Sequence, residues 1–337
     1  MTGTAKTIYT IDPGIPFVDA LARGIVARIA KEDPDDPMAL ARLIVLVPTR
    51  RAVRSLSEAF LRTQPVVPML LPRMAALGDL DEDEILMSPG LTHMDDSLPP
   101  VIGGMRRQLK LARLVMEFGT HGWGQTPDAG QAAELALELA RFLDQMETEG
   151  IPFTALNGLE MAENLADHWQ KTLNFLEILT EYWPRELAEE DAIGPAEHRN
   201  RLLKAQSLAW QAHGPKGWVI AAGSTGSIPA TADLLDAVAG LEQGCVVLPG
   251  LDRDMNDDGW DQLGESHPQF GLAHLLKRFG LSRANVADFE TDWPHGLTSA
   301  APVSRVRLLA SALAPVPVTP ELDPPDALEG LTWVDCP

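Results

Sequence analysis

A threonine and three arginines in one short stretch are the residues with the clearest chemical potential. Thr49, Arg50 and Arg51 follow the apolar run 43–47 after Pro48, and Arg54 comes one helical turn later. A hydroxyl, guanidinium groups and the N–H groups of a helix N-terminus are donors that proteins use to bind phosphodiester oxygens. The alternative is a solvated helix face whose arginines pair with acidic residues. The spacing alone leaves both interpretations open.

Two turns could hold a phosphate, and both lack the lysine of a nucleotide-binding loop. The first, residues 11–17, has one glycine and two prolines without N–H donors, and Asp12 would repel a triphosphate. The second, residues 223–226, lies between a strand pattern and a helix pattern, so the hydroxyls of Ser224 and Thr225 could contact an anion. A connecting turn would have the same composition. Neither turn predicts nucleotide binding.

An acidic loop and two histidines raise the question of a metal site. Residues 254–265 have the spacing of a calcium loop, with oxygen-bearing side chains, a glycine and a closing glutamate in the required order. A strand pattern precedes this loop where a helix is normal, so we interpret it as an acidic surface loop. His267 and His274 have no obvious third ligand, and Ser224 is not in a G-x-S-x-G sequence. We therefore predict no metal ligands and no catalytic residues.

Two further basic groups are predicted to be solvated surface, and three tryptophans are predicted to be core anchors rather than base-stacking platforms. The first basic group is Arg106, Arg107 and Lys110, and the second is Arg199 and Arg201. The tryptophans are Trp169, Trp183 and Trp210.

Composition limits the classes of protein that this chain can belong to. Its 337 residues carry 27 Lys and Arg against 48 Asp and Glu, a net charge of −21, which excludes a surface that is basic throughout but not a local basic groove. Two cysteines make neither a disulfide framework nor an iron–sulfur ligand set, and they favour a reducing cytoplasm. No apolar run reaches about 18 residues, so we expect a cytoplasmic protein with no membrane partner.

The elements that position these residues follow an alternating pattern. Strand and helix patterns alternate over residues 7–61, which predicts a parallel α/β sheet. Residues 69–98 are loop-rich, helical patterns fill residues 100–212, and strand patterns return at 218–222 and 245–248. We predict a first α/β part at 1–98, a helical insertion at 99–213 and a second α/β part at 214–313. A Pro-rich linker and the start of a truncated segment follow at 314–337.

Several segments together resemble the N-terminal region of the alphaproteobacterial AddB family, the second subunit of the AddAB helicase–nuclease. They are IDPGIPF (11–17), VLVPTRRA (45–52), LLPR (70–73), LGD (77–79), ADHW (166–169), HRNR (198–201), AAGSTGSIPATA (221–232), VLPGLD (247–252) and HPQ (267–269). The segments run in order over about residues 8–280, and it is their combination that is specific.

The resemblance implies a RecA-like, superfamily-1 helicase-like domain split by a mostly α-helical inserted subdomain. Thr49, Arg50 and Arg51 stand where such helicases grip a single-stranded backbone. Ser224 and Thr225 stand near the strand that normally carries the magnesium-binding acidic pair, which is missing here. The family's nuclease domain, with its iron–sulfur cluster and Mg²⁺, lies in a far C-terminal region, so this chain would be an N-terminal fragment with no cofactor of its own.

The predicted function is therefore a non-catalytic, ATPase-inactive module of double-strand break repair. It would contact DNA, single-stranded or displaced, through Thr49, Arg50, Arg51 and Arg54 and through Ser224 and Thr225. It would also dock an AddA-type motor subunit in a heterodimer. Two alternatives stay open: an active nucleotide hydrolase with an atypical phosphate loop, and a pure protein scaffold.

Overall fold

A computed structural model describes residues 6–63, 68–77, 98–119, 127–153, 155, 175–298 and 309–315. The chain divides into two compact units. The first contains Met1–Gly90, Gln206–Ser227 and Thr231–Pro337, and the second contains Leu91–Ala205 and Ile228–Ala230. The sheet belongs to the first unit, and the second is helical throughout its described residues except for one isolated β-bridge.

Six strands form a single all-parallel sheet in the order β3-β2-β4-β5-β1-β6. They are β1 (Ile8–Ile11), β2 (Ile44–Val47), β3 (Arg73–Ala76), β4 (Val219–Ala222), β5 (Gly244–Pro249) and β6 (Ala287–Asp288). This arrangement confirms the predicted α/β class, with a RecA-like parallel sheet interrupted in sequence by helices.

Ten α-helices accompany the sheet in the described part of the chain. They are α1 (Phe17–Glu32), α2 (Arg50–Thr63), α3 (Gly104–Phe118), α4 (Ala129–Glu149), α5 (Trp183–Glu189), α6 (Pro195–Ala212), α7 (Pro229–Ala239), α8 (Asp257–Asp261), α9 (Phe270–Phe279) and α10 (Phe289–Asp292). A π-helical turn, Ile178–Tyr182, precedes α5, and residues 309–313 are also helical. None of the helices in the described ranges is long and apolar enough to cross a bilayer.

Strands β1, β2, β4 and β5 are buried on both faces, as their continuous apolar sequences require. Alternate residues, such as Tyr9 and Ile11 in β1 and Val45 and Val47 in β2, share one core with α1 and α2. Because side chains alternate along a strand, the residues between them face the opposite side. The sheet is therefore a rigid layer whose loops can hold side chains in fixed positions.

The helical unit has its own core, built from α3, α4, the π-helical turn and α5. Asp128 begins α4 with a capping box to Gln131, and Gly150 ends it in the left-handed conformation that favours glycine. Trp183 is 2% exposed in this core, and Trp210 of α6 is also 2% exposed. Both agree with the predicted core anchors, whereas Trp169 lies outside the described residues.

The structure differs from the sequence patterns at two places. Strand β3 lies in the stretch that we predicted to be loop-rich. Its four residues have no β-branched side chain to mark a strand in the sequence, and they form one by pairing in parallel with β2. The short strand β6 also escaped prediction, since its two residues are too few to show a pattern. The predicted linker beyond residue 315 and the helical pattern over residues 156–174 fall outside the described residues.

Candidate nucleic-acid interface

The candidate site lies at the carboxyl edge of the sheet, where all loops that follow the parallel strands emerge. Strands β2 and β4 are neighbours in register, with Leu46 opposite Ala221. Their following loops are therefore adjacent, and a Cβ built on Gly223 would lie 3.7 Å from Cδ of Pro48. The fold thus brings the predicted α2 group and the predicted turn at 223–226 to the same edge.

Thr49 is the N-cap of α2. Its Oγ1 accepts a hydrogen bond from the N–H of Ala52 at 3.1 Å, and its carbonyl oxygen accepts from Val53 at 3.1 Å. The hydroxyl oxygen therefore satisfies one of the unpaired N–H groups at the helix start. Thr49 fixes where α2 begins, and this sets the direction of the arginines that follow.

Arg50, Arg51 and Arg54 are exposed in the first turns of α2. The opposite face of the helix buries Leu56 and Phe60 in the core, so the arginines have to face solvent. No acidic side chain in the described ranges pairs with Arg51 or Arg54. Among the described residues, these two arginines therefore lack the acidic partners that the alternative interpretation of the helix face requires.

The charge at this helix end is unfavourable for the isolated chain. The first turn of α2 contains no acidic residue and begins with two arginines. Backbone N–H groups give a helix N-terminus a partial positive charge, so each nearby cation costs about 0.3–1 kcal/mol. A bound anion would reverse the sign of this interaction.

The turn after β4 is held by its glycines. Gly223 has φ +78° and its N–H donates to the carbonyl of Val247 at 2.9 Å. Gly226 has φ +61°, and a Cβ there would lie 2.5 Å from Cδ1 of Leu275, so a larger residue would be strained and would displace that side chain. Ser224 and Thr225 are half-buried, and Ser224 Oγ accepts weakly from the N–H of Gly226 at 3.3 Å. The turn places two hydroxyls beside α2 but no carboxylate.

The turn after β1 is a poor phosphate cradle. The N–H of Ile15 points back to the carbonyl of Asp12 at 3.2 Å, and the two prolines in the turn have no N–H. The extended N-cap of α1 is Pro16, with no side-chain cap. A phosphate loop works by pointing several N–H groups at one anion. Few such groups remain here.

Two side chains of the acidic loop after β5 make contacts within the protein. Asn256, a ligand in the calcium pattern, instead caps α8 by accepting from the N–H of Gly259 at 2.7 Å. The guanidinium of Arg283 pairs with Asp257 at 2.5 Å and lies 4.7 Å from the centre of the Trp260 ring. Within the described residues no group of three potential metal ligands comes together.

The other two basic groups lie within the helical unit and are paired. Arg107 is 6% exposed and bonds Asp144, while Arg106 pairs with Glu190 and Lys110 with Glu186. Arg199 donates to Thr148 and Arg201 pairs with Glu197. The expectation of a solvated surface is wrong for Arg107, because its guanidinium is enclosed by α4.

Thr10 and Gln269 position the loop after β5, and the sequence predicts no role for either residue. Gln269 donates to the carbonyl of Gly250 at 2.9 Å and accepts from the N–H of Asp252 at 3.1 Å. Thr10, fully buried in β1, accepts from the N–H of Leu251 at 3.1 Å. A polar residue inside an apolar strand is the only sequence signal for Thr10, and Gln269 has none beyond its place at a helix start.

Comparisons with protein-family models and with curated proteins identify no relative of this chain. No protein-family model matches the chain, and no curated protein matches it at a significant level. Its function is therefore argued from the carboxyl edge of the sheet.

Proposed function

We propose that this chain is a DNA-handling and subunit-docking module of helicase type that does not itself hydrolyse ATP. It would correspond to the N-terminal region of an AddB-type subunit in double-strand break repair. The observation that carries the proposal is that Arg51 and Arg54 are exposed at the carboxyl edge of a RecA-like sheet and have no ion-pair partner among the residues that the structure describes. The positive charges of these arginines repel the positive end of the α2 dipole. A phosphodiester backbone would compensate the arginine charges and the dipole.

The missing phosphate-loop chemistry supports a non-hydrolysing role. The turn after β1 has no lysine and few free N–H groups, and the turn after β4 has hydroxyls in place of an acidic pair. Movement along DNA would then depend on an AddA-type motor subunit. The acidic surface is compatible with this role if the field of the arginines is confined to one edge.

The DNA-binding test measures the salt dependence of binding. Labelled single-stranded dT oligonucleotide is titrated with the full chain and with the double variant Arg51→Gln/Arg54→Gln, by fluorescence anisotropy at several salt concentrations. Each lost phosphate contact lowers the slope of log K against log salt by about 0.7. We expect the double variant to lose about 1.4 from the slope, again at about 0.7 per contact.

A matched control removes two exposed cations elsewhere. Lys216 precedes β4 and Lys277 lies in the last turn of α9, so both lie toward the amino edge of the sheet. Lys216→Gln/Lys277→Gln makes the same change in net charge and should leave the slope unchanged. Equal slopes for all three proteins would refute DNA binding at this edge and favour the pure scaffold.

Two further measurements separate the remaining alternatives. Purified chain with Mg²⁺ and ATP should show no turnover above background, whereas turnover that disappears on changing Gly223 or Thr225 would establish the nucleotide hydrolase. Size-exclusion chromatography with a purified AddA-type subunit should give a heterodimer. Separate elution of the two proteins at micromolar concentration would contradict the docking role.

A further inference from the structure

The loop that follows β5 is held rigidly at its backbone. Gly250 takes φ +60°, and its N–H donates to Ile11 of β1 at 2.9 Å. Gln269 bonds both Gly250 and Asp252, and Thr10 bonds Leu251. These bonds fix the chain on the near side of residue 253.

The far side of the same loop is also fixed. Asp252 Oδ1 accepts from the N–H groups of Asp254 at 3.0 Å and Met255 at 2.9 Å. The guanidinium of Arg283 donates to the carbonyl of Met255 at 2.5 Å. The carboxylate of Asp252 is therefore committed to the backbone of its own loop.

Arg253, at the centre of this loop, has a side chain with no such restraint. It is exposed and makes no hydrogen bond or ion pair with any residue in the described ranges. Because the backbone is already fixed, binding of an anion requires ordering of the Arg253 side chain alone. Asp254 is exposed beside it and reduces the local positive charge, so Arg253 is suited to one anionic contact rather than to a highly charged pocket.

The strand order places Arg253 on the opposite side of the β4 turn from α2. β4 lies between β2 and β5, and neighbouring strands are about 4.8 Å apart. The chain ends of β2 and β5 are thus separated by about 10 Å, with Ser224 and Thr225 between them. A bound strand must span at least this distance to contact both chain ends.

We infer that Arg253 is a second contact for the phosphodiester backbone. A strand bound at the carboxyl edge then runs from the first turn of α2, across the hydroxyls of Ser224 and Thr225, to the loop after β5. The inference rests on the proposed function and extends it, because it gives the bound strand a path and a minimum length.

The test uses the full chain and the same oligonucleotide titration. Arg253→Gln should lower the salt slope by about 0.7 and Arg253→Lys should keep it, whereas Lys216→Gln changes the same charge at the other edge and should have no effect. Combined with Arg51→Gln/Arg54→Gln, the loss should reach about 2.1. The melting temperature should be the same for wild type and Arg253→Gln, since the side chain bonds no residue in the described ranges.

The possible results separate the two proposals. An unchanged slope for Arg253→Gln, together with a reduced slope for the α2 variant, overturns the second contact and leaves the proposed function in place. Unchanged slopes for both variants overturn both. A reduced slope with Arg253→Lys, despite its retained charge, overturns the assignment of Arg253 as a simple phosphate contact.

Discussion

Helices α2 and α3 carry basic residues at the same spacing, in opposite surroundings. Arg50, Arg51 and Arg54 begin α2, and α3 has Arg106, Arg107 and Lys110 at the corresponding intervals. On α3 each cation has an acidic partner, whereas Arg51 and Arg54 have none among the described residues. The comparison teaches that spacing identifies a basic helix face but that the tertiary partners decide whether its charge is available.

Two of the acidic residues that pair with the cations of α3, Glu186 and Glu190, share those cations. Glu186 accepts from Lys110 and Arg113, each at 2.5 Å, and Glu190 pairs with Arg106 and Lys110. The hydrogen bond from Arg106, together with that from Lys110, lowers the pKa of Glu190 below its usual range. Hydrogen bonds from Lys110 to Glu186 and Glu190 raise the pKa of the lysine. This face of α3 is a structural ion-pair network.

The largest expected effect comes from breaking the pair at Arg107. Arg107→Met leaves Asp144 without its cation and the carbonyl of Ala140 without its donor. Because Asp144 is partly exposed, we expect a loss of about 2–3 kcal/mol, below the range for a fully buried pair. Urea unfolding measures it. As the control, Arg51→Met should change the free energy of unfolding by less than about 0.5 kcal/mol. If Arg51→Met and Arg107→Met lowered it equally, the basic residues of α2 and α3 would not differ in their structural role.

The second effect concerns Glu147, near the same junction of helices. Burial raises its pKa to about 7, with Glu197 and Asp144 adding to the rise and Arg107 opposing it. Its carboxylate accepts from the N–H of Glu197 at 3.2 Å. The folded pKa is above the unfolded value of 4.5. The contribution of the protonated Glu147 carboxyl to the free energy of unfolding is therefore complete below pH 4.5 and is lost as the pH rises through 7.

Glu147→Gln should remove that dependence on pH. The free energy of unfolding of the wild type should fall between pH 5 and pH 8 by about 1–2 kcal/mol more than that of the variant, a figure reduced because the carboxyl is partly exposed. Urea unfolding at both pH values checks it. Parallel pH profiles for the two proteins would show that the carboxyl of Glu147 titrates normally in the folded state.

Much of the sheet could be predicted from the sequence, because continuous apolar and β-branched runs mark β1, β2, β4 and β5. Strand β3 could not, since its small residues and Arg73 form a strand only by pairing with β2. The position of the α2 arginines at the carboxyl edge was predictable from the strand that precedes them. Their lack of partners was not, because the partners of the α3 cations are distant in sequence, with Glu186 76 positions from Lys110.

The smallest expected effect is a change in stability and in oligonucleotide binding caused by the same substitutions in α2. Arg51→Gln/Arg54→Gln removes Arg51 from the first turn of α2 and Arg54 from the next turn, where the dipole effect has fallen off, so the free energy of unfolding should rise by about 0.3–1 kcal/mol at low salt. The same variant should bind the oligonucleotide more weakly, which is the trade-off expected where a site keeps unfavourable charge for its ligand. High salt should abolish the stability gain, because exposed charges are screened. A variant that is less stable than the wild type would mean that these arginines hold the fold, as those of α3 do.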